Sequence, residues 1–568
     1  MPDIEIESAA VQANGHLKQM NGDCVKDDAA ALRDWNPSKL IKALYEVSYE
    51  PKVQTKRNRF LNMEGHVEVP SNDTNNPAEL NQEWKQVYIR TKEGRVQTFA
   101  VGKAWSSPQT IEIQTHYAGE TPVTDILLSG ADVDANREER TLSIHGGRER
   151  VKLFFRVPSN VFDKWRQAFL SHCASSQIDA YVKPTARAFQ HLTERVVILE
   201  FGSSSIRGGI LTQEPSLPQS FFPAIAVRTD DGRIIVGEEA YDPQVRSRGD
   251  FVKPIESTDP SVERYTMDKD IVRACISRVI KDLKIDPKKY KILLSIPQNV
   301  PTVLVGDLLT IALNDARFQG AAITRQPQLI LYSYDIATGV VVDIGDRLNI
   351  VPVIDGYVVD SAICSLPYGG TQIRESLRSL LCANNKGLYS FRSPIEQLIL
   401  RSVMEQTTYV PEDYEKEKQN ENKEKFISLD GFDLPTSVPT RFNIDSSRFT
   451  CTEGLFQPKK WGLDTKGLPQ LIHEAVQQCP IDSRRLLYRN IYLAGGASIM
   501  PGLAEKLEHE LAKIVPNTIH AQVHISPWRY NAAYLGAQIL ASAATFPDSC
   551  VTPGKLGVFL TNLNSASF

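Results

Sequence analysis

One pattern of hydrophobic and polar positions occurs twice along the chain. RVVILEFGSSSIRGGIL from Arg195 and VVVDIGDRLNIVP from Val340 each place three or four aliphatic residues before an acid, one spacer, a glycine and then Ser or Asp. The unbroken apolar run predicts a buried strand, and the glycine predicts a sharp turn into a second strand. Two such hairpins predict a duplicated α/β unit with a cleft between its halves. Strands and helices alternate from Arg195 to Phe546 in the doubly wound manner.

Upstream, between Met63 and Ala174, the pattern changes to short alternating segments separated by polar turns: EGHVEV, WKQVYIRT, GRVQTFAV, QTIEIQTHY, RTLSIHG and RVKLFFRV. NVFDKWRQAFLSHCA follows, with Phe162, Trp165, Phe169 and Leu170 on one helical stripe, so this region predicts a small β-barrel capped by a C-terminal helix. Before it, residues 1–58 read as mostly disordered, with one short amphipathic helix in ALRDWNPSKLIKALYEV. Asn36 would cap that helix, and Leu40, Ile41, Leu44 and Tyr45 share a face expected to pack on the next domain. The predicted divisions are therefore 1–58, a barrel over 59–177, a linker over 178–194, the α/β unit over 195–546 and a tail over 547–568. Within the α/β unit, YEKEKQNENKEK from Tyr414 reads as a solvated loop.

Composition narrows the classes. A chain of 568 residues with 42% hydrophobic and 23% charged positions is an ordinary globular composition with room for two or three domains. The net charge of −4 argues against a dedicated nucleic-acid or membrane-surface protein. The eight cysteines are scattered without metal spacing, and there is neither a leader-like nor a membrane-spanning apolar run, so the expected compartment is cytoplasmic or nuclear.

The hairpins carry the candidate chemistry. An acid at the end of a buried strand (Glu200, Asp343) can hold a divalent cation through water, while successive turn N–H groups form an anion-binding concavity. Two facing hairpins would clamp a polyphosphate from both sides. The competing nucleotide motifs are absent: there is no G-x-x-x-x-G-K-[ST], no strand–glycine loop–helix fingerprint and no kinase signature set.

The paired hairpins occur with FFPAIAV at Phe221, VGEEAYD at Val236, VPVIDGYVV at Val351, LFQPKKWG at Leu455, CPIDSRRLLYRNIYLAGGASIMPGL at Cys479 and YLGAQILASAATF at Tyr534. In this order they resemble actin and the actin-related proteins. The CPIDSRRLLYRNI wording is most similar to the actin-related subunit of the branch-nucleating complex, and a similar phrase occurs in the pointed-end subunit of dynactin. The resemblance implies a duplicated actin-like, ribonuclease-H-like α/β fold whose cleft takes ATP or ADP with Mg2+. In the first hairpin it implies roles for Glu200 toward the cation and for Gly202, Ser203 and Arg207 toward phosphate, with Phe201 where the family has a small polar spacer. In the second hairpin Asp343, Gly345 and Asp346 match, and Arg347 replaces a glycine. Arg347 is expected either to reach the phosphates or to cross the cleft toward Glu200 or Asp346.

On the adenosine side the resemblance implies Gly495, Gly496, Ala497, Ser498 and Met500 around base and sugar, and Arg401 with Glu405 near the ribose, Met404 replacing a basic neighbour. Either Arg529 or Tyr530 would lie over the adenine. Gln326 matches the residue that orients the attacking water, with Pro327 expected to disturb the local helix. The family's histidine that helps hold that water aligns with Ile350. Such a site is expected to bind nucleotide and to hydrolyse little of it.

The N-terminal segment resembles a pleckstrin-homology domain. Headgroup-binding members carry bases on the first two strands; here the first strand holds Glu68 and Pro70, the second Lys85 and Arg90, and Arg148, Arg150 and Lys152 lie further on. Weak or no phosphoinositide binding is the expectation. In place of the family's long subunit-gripping loop there is only RTDDGR, Arg228 to Arg233. Together these imply a non-polymerising actin-related scaffold or adaptor, a subunit of a cytoskeletal protein complex in the cytoplasm. The alternatives are a nuclear chromatin-remodelling subunit, a working ATPase, and a sugar-kinase or Hsp70-like relative, against which LFQPKKWG and CPIDSRRLLYRNI speak.

Overall fold

In the computed structural model the chain forms two units, Met1–Val53 with Pro184–Phe568, and Gln54–Lys183. The structure describes residues 32–46, then 63–175 outside 72–82, 93, 100–101, 104–113, 116–121, 129–130 and 147–149. It then describes 192–565 outside 193, 214, 258–264, 335, 386–389, 421–424, 517–518, 520 and 527. The disorder expected before Asp28, most of the linker and Arg148 fall outside these residues. Helix α1 (Ser38–Leu44) buries Leu40, Ile41 and Leu44, and Asn36 Oδ1 accepts the Ser38 N–H at 3.1 Å. Its partner corrects the sequence reading. α1 belongs to the larger unit, not to the barrel next to it in sequence.

The smaller unit is an antiparallel sheet of seven strands: β1 (Glu64–Pro70), β2 (Trp84–Lys92), β3 (Arg95–Phe99), β4 (Thr124–Leu127), β5 (Ala131–Asn136), β6 (Thr141–Gly146) and β7 (Val151–Arg156). Their spatial order is β4-β3-β2-β1-β7-β6-β5. Val67, Ile89, Val96, Ile144 and Phe155 alternate inward and meet helix α2 (Phe162–Ser175). Phe169 stacks 5.2 Å from Phe155, and buried Trp165 lies 5.5 Å from Phe169. Buried His172 accepts the Gly94 N–H at 3.1 Å through Nδ1, pinning α2 to the β2–β3 turn. The stripe therefore ends on His172 and Cys173, and Leu170 is only half-buried. β4 and β5 were not foreseen, because TDIL and ADVDAN carry acids on their outer faces. QTIEIQTHY contributes only Gln114–Thr115, paired with Gly102–Lys103. No ladder joins β4 to β5 among the described residues, so the wall is open at that seam.

In the larger unit each repeated hairpin begins a sheet, and the two sheets share one topology. The first is β8 (Val196–Phe201), β9 (Ser205–Ile210), β10 (Ser220–Pro223), β11 (Lys291–Ile296) and β12 (Gly320–Arg325), in the order β10-β9-β8-β11-β12. The second is β13 (Gly339–Ile344), β14 (Leu348–Ile354), β15 (Tyr357–Val358), β16 (Ile491–Ala494) and β17 (Val523–His524), in the order β15-β14-β13-β16-β17, with Cys364–Leu366 also pairing β14. In both, the hairpin is antiparallel and its first strand runs parallel to a strand reached by a crossover. The leading strands are buried on both faces, which is why they read as unbroken apolar runs.

Helices α3 (Gln326–Ser333) and α5 (Ala532–Ser542) share a core with residues of both sheets, among them Val196, Leu293, Val341 and Tyr492. A Cβ on Gly536 would strike the Leu329 carbonyl, so glycine is required for this close approach. RTDDGR forms a tight hairpin between Ala226–Thr229 and Ile234–Val236, with Gly232 at φ +80°. One expectation changes. Tyr414–Asn420 is a short helix, anchored by buried Tyr414 against Phe449, not a loop. The tail is also built into the unit: Val551 bridges Ala321, and α6 (Leu556–Ser565) packs on the helix Thr302–Thr310.

Candidate functional site

Three strand ends meet in the cleft. β8 delivers Glu200, and the Glu200↔Arg207 pairing sets Arg207 directly across the ladder, Nη1 to Oε1 at 2.7 Å. The turn is held by the Gly202 N–H on the Ser205 carbonyl at 3.0 Å. β13 delivers Asp343, and the second turn closes through the Gly345 N–H on the Arg347 carbonyl at 3.1 Å. β16 leads into Gly495, whose φ of +86° and closeness to the Asp343 carboxylate exclude any Cβ. Both hairpins, Gln326 and the Gly495–Gly496 turn line one cavity of about 110 Å³. Sites for drug-sized ligands have roughly 300 Å³ or more.

Arg207 lines the cavity and is held on several sides. Besides Glu200 it donates from Nε to Asn531 Oδ1 at 3.0 Å and from Nη2 to the Tyr530 carbonyl at 3.2 Å. Its guanidinium also lies 4.7 Å from the Tyr530 ring and 5.2 Å from the Phe221 ring. Burial raises the Glu200 carboxyl even though Arg207 pulls it down. Asp343 is pushed up to about 7 by burial and then by the Glu200 charge, with Arg207 opposing. Asp346 goes the other way: burial would raise it, but Arg374, Lys253 and Arg401 together hold it below the usual range.

Glu200 Oε2 is buried without a hydrogen-bond partner among the described residues. That oxygen and Asp343 fit a hard cation held by two carboxylates and otherwise by water and phosphate, the usual Mg2+ arrangement. No group of three or more His, Cys, Asp or Glu suited to a metal occurs among the described residues.

On the other side, α4 (Pro394–Thr407) sets Arg401 and Glu405 one turn apart, Nε to Oε1 at 2.8 Å. Arg401 Nη2 reaches the Tyr530 hydroxyl at 3.2 Å, and Nη1 reaches the Tyr45 hydroxyl at 2.6 Å. Arg529 is committed to the Ser498 and Ser526 carbonyls at 3.2 and 2.8 Å, so Tyr530 is the one of the pair that meets the Arg401 side of the cleft. Ala497, Ser498 and Met500 are buried around the Gly496–Ile499 turn, off the cavity wall; Ser498 Oγ bonds the Gly495 carbonyl at 2.7 Å.

Three features refine this picture. Gln326 opens α3 with Pro327 in the first turn, where no N–H is missed, so the proline leaves the helix intact. The Gln326 amide donates to the Phe201 carbonyl at 3.2 Å. Second, Asp343 pairs with Asn349 while Ile350 pairs with Val342. Cross-strand partners share a face, so the polar neighbour of Asp343 is Asn349, which lines the cavity and accepts from Ser365 Oγ at 2.7 Å; Ile350 is wholly buried. Third, Arg347 turns neither to Glu200 nor to Asp346. Its Nη2 meets Ser257 Oγ, and its guanidinium lies 5.8 Å from the Tyr265 ring. The bridge across the cleft is made by Arg207.

Sequence reasoning missed Asn349, Tyr265, Asn531 and Phe221 as members of this site. Only Asn349 had a local signal, since it sits at the cleft-facing position of a strand whose register depends on one turn residue. Residues 191–554 match the family model described as Actin, from the end of the linker into the tail.

Proposed function

Because the chain belongs to the actin family, more than half of it matching that family's model, we propose that it is a divergent, non-polymerising actin-related subunit of a cytoplasmic, cytoskeleton-linked protein assembly. Its cleft is a nucleotide site that has lost turnover. One observation carries this reading: the buried Arg207–Glu200 bridge at 2.7 Å holds both groups that the family offers to phosphate and cation, and leaves a cavity of about 110 Å³. ATP or ADP with Mg2+ would bring the phosphoryl-transfer chemistry. Asp343 and the free oxygen of Glu200 would lean on the cation, and the Gly202–Ser203 and Gly345–Asp346 turns would offer N–H groups to phosphate. Gln326 is the one side chain of the family's water-positioning pair still in place; Asn349 can hydrogen bond there but is a far weaker base than imidazole. The test is nucleotide extracted from the purified protein and phosphate release followed with Mg2+. Bound adenine nucleotide without sustained release is expected. Steady turnover abolished by Gln326→Ala would overturn the reading.

The absence of polymer is supported by the hairpin at Arg228–Arg233, which replaces an apolar loop with charged residues paired at home, Arg228 to Asp268 at 2.7 Å. For the smaller unit, seven meandering strands with a Trp-bearing C-terminal helix support a pleckstrin-homology-like docking module for protein. Two of its bases are already engaged: Arg90 pairs with Glu64 at 2.9 Å, and Arg156 lies 3.6 Å from Glu68 and 3.9 Å from the Trp84 ring. Liposomes with phosphoinositide headgroups should bind weakly, and affinity purification should return stoichiometric protein partners.

A further inference from the structure

The contacts of residues 32–45 bridge the two halves of the larger unit. Arg246, which follows the first sheet's hairpin region, places one guanidinium nitrogen, with its two N–H groups, among the carbonyls of Leu32, Arg33 and Trp35 at 2.9, 2.8 and 2.7 Å. From the other half, the Phe432 carbonyl accepts the Trp35 indole N–H at 3.1 Å, and Asp433 pairs with Lys39 at 2.6 Å. Between these anchors α1 ends in Tyr45. The Tyr45 hydroxyl accepts from Arg401 at 2.6 Å and donates to the Ser204 carbonyl, in the first phosphate turn, at 3.0 Å. The Tyr45 ring lies 5.3 Å from Phe221, and the Arg401 guanidinium stacks 4.6 Å from its centroid. A flat ring against a guanidinium, with a hydroxyl shared between that guanidinium and a turn carbonyl, is the set of contacts a nucleoside would seek from Arg401 and its neighbours.

We infer that residues 32–45 are an intramolecular occupant of the cleft mouth, with Tyr45 standing where the adenosine of a nucleotide would lie. Nucleotide and strap therefore exclude one another. The inference rests on the nucleotide reading of the cleft and specifies its control. A tethered group acts at a high effective concentration, so it competes well even when its contacts are modest. The apparent nucleotide affinity falls in proportion to the fraction of molecules with the strap released. Trp35 and Arg246 control that fraction from outside the cleft.

The test uses the full chain and N-methylanthraniloyl-ADP with Mg2+, titrated by fluorescence against wild type, Tyr45→Ala and Trp35→Ala. Trp35 makes its hydrogen bonds to Phe432, Arg246 and Leu32, none of which lines the cleft cavity, and serves if Tyr45→Ala folds poorly. Binding about tenfold tighter or more is expected in both variants. Amide exchange over residues 38–46 should be slow in the apo protein and accelerate when the probe saturates the wild type. Equal affinity in all three proteins, with unchanged exchange, would overturn the strap and leave the nucleotide site standing. No binding by any of them at millimolar probe, with the strap released in the variants, would overturn the nucleotide reading and the inference with it.

Discussion

Glu396 sets the geometry of α4 and, through it, of Arg401. Its carboxylate accepts from the Ser393 N–H at 2.9 Å, the Arg392 N–H at 3.1 Å and Ser390 Oγ at 2.9 Å, and completes a reciprocal cap with Ser393. Burial alone would raise its pKa, but the donors from Ser393, Ser390 and Arg392 more than reverse this and hold it below the usual carboxylate range. A lowered folded-state value contributes stability above the unfolded carboxylate's pKa and loses it as pH falls through the folded value. Glu396→Gln should therefore destabilise the protein by roughly 1–3 kcal/mol at neutral pH. Urea denaturation should show that gap closing as pH drops below about 4.5, the ordinary carboxylate value. Arg207→Ala is expected to be harsher, about 3–5 kcal/mol, because it strands a buried Glu200. Adding Glu200→Ala should restore part of that loss, and additive effects in the double-mutant cycle would contradict the pairing. Acids ending aliphatic runs made Glu200 and Asp343 legible. Asn349 was hidden because a strand's facing residues invert when its register moves by one.

Among elements, α2 bears most on the smaller unit, since its Trp165 and Phe169 close the core left open by the seven strands. Trp165→Ala in a fragment of residues 54–183 should lower stability by roughly 3–5 kcal/mol in urea denaturation, and a fragment that never unfolds cooperatively would show that the unit does not stand alone. Period and turn chemistry announced β1 to β3, β6, β7 and α2. They did not announce β5, whose burial pattern is that of a nearly exposed edge. Helix α1 shows a different gap. Leu40, Ile41 and Leu44 reveal that it has a partner, but amphipathicity carries no address, and the surface it meets is assembled from Phe221, Arg401 and Phe432, distant in sequence.

At the scale of the whole molecule, the duplicated sheets were legible because both leading strands repeat one motif and both need burial on two faces. Sedimentation at high protein concentration with Mg2+ and salt should leave the chain in the supernatant. Replacing Arg228–Arg233 by a long apolar loop should make it pellet if that hairpin is what prevents self-association. The rest of the cleft depends on contacts that only the finished fold supplies, such as Asn531 and Tyr530 on Arg207.

The bond between Tyr45 and Arg401 joins residues 356 positions apart, and that between Trp35 and Phe432 joins residues 397 apart. During synthesis at about 5–20 residues per second, the N-terminal segment leaves the ribosome roughly 20–80 s before Arg401 and Phe432 exist. The smaller unit, contiguous over residues 54–183, can finish folding within that interval. Until then the segment ahead of it can meet only its first-half contacts, Arg246 and Phe221, and lacks the anchors Arg401 and Phe432. Nascent chains stalled before Phe432 should therefore be cleaved by protease within residues 32–46, and those released at full length should resist.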